Sequence, residues 1–82
     1  MAVSVVFAAP AAADEGGFLQ ELQERYTSLT PQQLLSEGRA VCSAISNGTN
    51  STAALQMVQK DLGVSVAAAG DIVSAAVVHL GC

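Results

Sequence analysis

Two cysteines, Cys42 and Cys82, limit what this chain can fold into more than any other feature. They stand about forty residues apart, a spacing suited to a disulfide and poorly suited to a metal centre. A redox role would favour Cys-x-x-Cys, so the pair is read as a static tie. The 82 residues make one domain at most. Without residues 1–13 the chain sits near the lower size limit for an independent hydrophobic core, where a staple is usually needed. A disulfide closing a loop of about forty residues stabilises by roughly 4 kcal/mol in the chain-entropy model. That is a large share of the net stability of a small domain.

The first segment, MAVSVVFAAPAAA (residues 1–13), is apolar and gives way abruptly to Asp14-Glu15-Gly16-Gly17. It reads as the apolar core of a signal peptide followed by an A-x-A cleavage site, with Asp14 as the first mature residue. The segment has no Lys or Arg, so the expected basic start is missing and lies upstream or has been cropped. The alternative is a retained apolar arm that packs on the domain or on a partner. The segment is shorter than the roughly 20 residues needed to cross a bilayer, and no transmembrane span is expected. Export to an oxidising compartment follows, with the protein secreted or held in the cell envelope or periplasmic space.

The remaining residues, 14–82, read as a single all-α domain, a small array of about four short helices stapled by one disulfide. The chain is 51% hydrophobic but only 4% aromatic, so its apolar content is mainly Ala, Val and Leu, which suits closely packed helices. The first helix is expected from about Phe18 to Tyr26, with Asp14 and Glu15 favouring its N-terminus. Thr30, Pro31 and Gln33 open the second with a capping box, and Asn47-Gly48 stops it. Asn50 or Ser51 can cap a third from Thr52 to Leu62, stopped by Gly63. Ser65 can cap a last helix from Val66 to Leu80, ended by Gly81.

The faces follow from helical spacing. On the second helix Leu34, Leu35, Gly38, Val41, Cys42 and Ile45 form the expected core side, with Ser36, Glu37, Arg39, Ser43 and Ser46 opposite. Gly38 is expected to mark the close approach of another helix. The third helix should bury Ala54, Leu55, Val58 and Leu62. The last should bury Val66, Ala69, Val73, Ala76, Val77 and Leu80. Its opposite side also carries Ala67, Ala75 and Val78, so it is expected either to lie centrally or to meet a partner there. A helix continued to Cys82 would carry that thiol away from the core, so a break at Gly81 is required to bring it toward Cys42.

Few constellations suggest chemistry. The net charge is −4 and the three basic residues, Arg25, Arg39 and Lys60, are scattered, so nucleic acid is not an expected partner. His79 is the one histidine, which rules out a two-histidine zinc site, and no metal or catalytic set is expected. Glu21, Glu24, Asp14 and Glu15 are read as a solvated face. Tyr26, Met57 and His79 could ligate haem iron, so a small carrier of haem or lipid between the helices is the alternative function. Each of the three also has an ordinary role at a core edge, in a packing gap or at a helix end, and no cofactor is expected.

The order Phe18-Leu19-x-x-Leu22, Gly38-Arg39-Ala40-Val41-Cys42, Gly48, Ala75-Ala76 and a terminal Cys82 resembles the small exported actinobacterial proteins grouped as domain of unknown function 732. The resemblance spans nearly the whole of residues 14–82, and its most specific element is Gly-x-x-x-Cys paired with a cysteine at the end of the last helix. It implies a signal or anchor, a helical fold and a bond between Cys42 and Cys82, and it supplies no activity. Such proteins tend to continue past the last cysteine with Pro, whereas this chain stops at Cys82. The expected function is a non-enzymatic module that contacts another protein or the cell envelope, with Ala67, Ala75 and Val78 as its surface. The partner and the oligomeric state stay open.

Overall fold

Every helix begins where a side chain can satisfy the amides that a helix start leaves unbonded. The computed structural model describes residues 14–82, and segment 1–13, expected to be a signal remnant or an arm, lies outside the described residues. Four helices follow: α1 (Glu15–Gln23), α2 (Pro31–Ser46), α3 (Ser51–Leu62) and α4 (Val66–Leu80). The Asp14 carboxylate accepts from the Gly17 amide at 3.0 Å, and Asn50 and Ser65 do the same for Ala53 and Ala68. Thr30 and Gln33 form a complete capping box, with Thr30 Oγ1 accepting from the Gln33 amide and Gln33 Oε1 from the Thr30 amide. The cap at Asp14 starts α1 three residues earlier than Phe18, and the helix ends correspondingly before Tyr26.

The fold is all-α, and no strand occurs among the described residues. The centre is α4, against which α1, α2 and α3 all pack. Phe18 and Leu22 of α1, Leu34 and Val41 of α2, Ala54 and Val58 of α3, and Ala69, Ile72 and Ala76 of α4 are sealed from solvent. Full burial of the larger side chains among them contributes about 1.5–3 kcal/mol each. A broad arc of small residues on α4 lets three helices approach one axis. No single helix among the described residues is long and apolar enough to cross a membrane.

Gly38 marks where three helices meet. A Cβ there would lie 2.7 Å from Cζ of Phe18 and 2.8 Å from Cδ1 of Leu80, so α1 and α4 both press on α2 at this point. At the far end of α4, Gly81 takes a left-handed conformation with φ 79°, which ends the helix and turns the chain back. Cys82 is thereby bonded to Cys42, with their Cα atoms 5.0 Å apart, and the last residue is fastened to the middle of α2.

Two outcomes are expected. Reduction, or the double substitution Cys42→Ser with Cys82→Ser, lowers the unfolding free energy by about 4 kcal/mol in urea titrations, and an unchanged midpoint would contradict a structural tie. Gly38→Ala lowers it by about 1–3 kcal/mol through overpacking against Phe18 and Leu80, whereas a gain from improved helix propensity would show that the contact yields.

Candidate functional site

The face of α4 that the other helices leave uncovered is bordered by polar residues that α1 engages. Asp71 of α4 accepts from the Arg25 guanidinium at 2.9 Å and from the Tyr26 hydroxyl. Two turns on, His79 Nε2 lies 2.8 Å from Oε1 of Glu21 and its backbone carbonyl accepts from the Asp14 amide at 2.7 Å. These partners all belong to α1 or to its two ends. Ala75 stands four residues from both Asp71 and His79, on the same side of the helix, so whatever binds both must cover Ala75. Its exposure is 1%.

This arrangement corrects three expectations about α4. Ala75 is buried and belongs to no surface. Val66 and Val77, expected in the core, are 60% and 42% exposed, while Ile72 is buried in their stead. The physical cause is the near-uniform apolarity of the helix. Valine and alanine occur all round it, so spacing alone does not orient it, and the attachments at Asp71 and His79 decide the rotation. Ala67 and Val78 do lie outside, with Val78 73% exposed. The open face therefore carries Val66, Ala67, Ser74, Val77 and Val78, with no charged residue among them.

The carboxylates of α1 are likewise more than a solvated face. Glu15 accepts from Arg39 of α2 at 2.7 Å, Glu21 holds His79, and Asp14 both caps α1 and lies 3.7 Å from Nδ1 of His79. Hydrogen bonding from Tyr26, reinforced by Arg25, holds the Asp71 carboxyl below its ordinary value, and the same bond to Asp71 raises the Tyr26 phenol. The three side chains considered as haem ligands occupy separate places. Tyr26 is bound at Asp71 and His79 at Glu21, about 12 Å apart along α4, and Met57 packs from α3 against the core cluster. No cavity opens among the described residues.

Glu37 departs furthest from its expected place. It was expected on the polar side of α2, yet it is 7% exposed and its Oε2 has no hydrogen-bond partner. Burial, then hydrogen bonding with and repulsion from Asp61 of α3, push its carboxyl up to about 7. The available signal was its position three residues after Leu34 and four before Val41, on the ladder of the buried face.

The geometry is that of a small disulfide-stapled helical domain with one uncharged face left open. The chain belongs to the family described as protein of unknown function (DUF732), whose model matches residues 13–82. No curated protein and no solved structure matches it.

The Asp71 attachment has a defined pH dependence. Its carboxyl is held down in the folded state, so its contribution is present above the ordinary value of 3.8 and is lost as pH falls through the lowered folded-state value. Asp71→Asn should be less stable than the parent by about 1 kcal/mol near neutral pH. In urea titrations the gap should close once the medium is more acid than that folded-state value, and a gap independent of pH would contradict the assignment.

Proposed function

We propose that this chain is an exported, non-enzymatic contact module of the cell envelope, and that the open face of α4 seats against a partner protein. The observation that carries the reading is the exposure of Val66, Val77 and Val78 together with Ala67 on one uncharged face of the central helix. Exposed apolar residues gathered on one face are the kind of surface that associates with a partner. A protein surface suits it better than an anionic lipid surface. The chain is net negative, and two of its three basic side chains, Arg25 and Arg39, are engaged by Asp71 and Glu15, so little free positive charge is left to draw the face to anionic lipid. A disulfide between the middle and the end of the chain suits an oxidising compartment, which supports export. The carrier reading draws no comparable support, because Tyr26, Met57 and His79 point to no shared site.

Val78→Asp tests the reading, since a residue this exposed can accept a charge without loss of fold. The variant is expected to keep its helical circular dichroism and its disulfide while losing the partner that the parent protein retains from the envelope fraction of its own host. Equal recovery of that partner by both proteins, with the same oligomeric state, would count against the α4 face.

A further inference from the structure

Helices α3 and α4 both end at a left-handed glycine, yet they are capped differently. The amide of Gly63 donates back to the Gln59 carbonyl of α3 at 2.8 Å. Among the described residues neither Gly81 nor Cys82 returns such a bond to α4, and the amide that reaches its last turn comes from the start of the domain, where Asp14 donates to the His79 carbonyl at 2.7 Å. The junction is close. A Cβ at Gly17 would meet the Asp14 carboxylate and lie 2.9 Å from Nδ1 of His79, so the first turn of α1 is pressed onto the last turn of α4. The nitrogen at this junction is the one that cleavage after Ala13 would set free.

We propose that the N-terminus created at Asp14 is the cap of α4: once residues 1–13 are removed, the new α-ammonium binds the His79 carbonyl and fixes the end of the central helix. Such a terminus arises only in an exported and processed chain, so the cap depends on the export stated above. An endopeptidase hydrolyses the Ala13–Asp14 amide with one water. Ala13 leaves with a carboxylate, and the Asp14 nitrogen takes up a proton to become an ammonium. A neutral donor at 2.7 Å from the carbonyl is thereby replaced by a cationic one, and a charge-assisted bond is roughly twice as strong as a neutral one.

The surroundings favour the cation. The end of α4 carries the negative pole of the helix and has no Lys or Arg in its last turn. His79 is the basic group there, with Glu21 2.8 Å from its Nε2 and Asp14 3.7 Å from its Nδ1. The cation also stands at the start of α1, where the helix pole opposes it, but Asp14 and Glu15 set carboxylates in that turn. From α2 comes Arg39, which Glu15 engages at 2.7 Å. Held in this way, the amine keeps its proton above the roughly 7.7–8.0 of a free chain end. A group raised on folding gives stability that is full below its unfolded value and is lost as pH rises through its folded one, so the hold on the end of α4 weakens in alkali.

The test uses the protein isolated from its own host. Its intact mass should place the first residue at Asp14, and a retained or differently cut segment would overturn the cap together with the export reading. In the chain that begins at Asp14, competitive acylation from pH 6 to pH 10, with Lys60 as the second amine, should give an α-amine midpoint about one unit above that of the urea-unfolded chain, and about tenfold less free amine near pH 7. Acetylation of the α-amine takes the covalent place of Ala13, so it keeps the N–H and removes the charge. The acetylated protein should unfold at lower urea than the parent at pH 7, and the two should converge above the midpoint of the amine. An ordinary midpoint, or equal urea resistance at every pH, would overturn the cap and leave export standing.

Discussion

Burial of α4 by the three other helices is the constraint on which the rest of the molecule depends. A chain with 4% aromatic residues cannot fill a core with rings, so it gains density by bringing helices close around Ala68, Ala69, Ala75 and Ala76. Phe18, the one fully buried aromatic ring among the described residues, is accommodated because Gly38 leaves room for it. The disulfide completes the arrangement at the C-terminal end, where Gly81 turns the chain and Cys82 meets α2. Without that turn the last thiol would follow the helix toward solvent and the end of α4 would be free.

Polar contacts decide how the helices are rotated more than how strongly they are held. Exposed pairs such as Arg25–Asp71 and Arg39–Glu15 contribute little each. Their value lies in position. With Asp71 and His79 both engaged by α1, Ala75 between them is buried and Val66, Val77 and Val78 lie outside. Among the described residues no side-chain hydrogen bond or ion pair joins α3 to another helix, and its place against α2 and α4 is set by apolar packing.

Local signals in the sequence mark the helix ends closely. Thr30, Pro31 and Gln33 open α2, Asn50 and Ser65 cap α3 and α4, and Gly63 and Gly81 end them as their chemistry requires, because caps and stops depend on a few neighbouring residues. The bond between Cys42 and Cys82 was legible for a different reason, that the chain has two cysteines and no other partner for either, and the close approach at Gly38 because a glycine inside a helix signals one. Rotation of α4 was not, since a helix with apolar residues all round has no preferred side until distant residues bind it. The burial of Glu37 runs against its residue type, since a carboxylate belongs in solvent, while its spacing from Leu34 and Val41 puts it on the buried ladder. Ala75 shows the converse, a residue read as surface whose burial is forced by two neighbours on its own helix.

Which side of α4 faces water is central, and the valine methyl groups report it directly. Addition of a soluble paramagnetic probe to the full chain, read by methyl NMR, should broaden Val66, Val77 and Val78 strongly while Val41, Val58 and Val73 stay sharp. Protection of Val66 and Val77 alongside Val73, with broadening confined to Val78, would mean that α4 is turned away from the α1 attachments described here, and it would contradict both the open face and the packing that produces it.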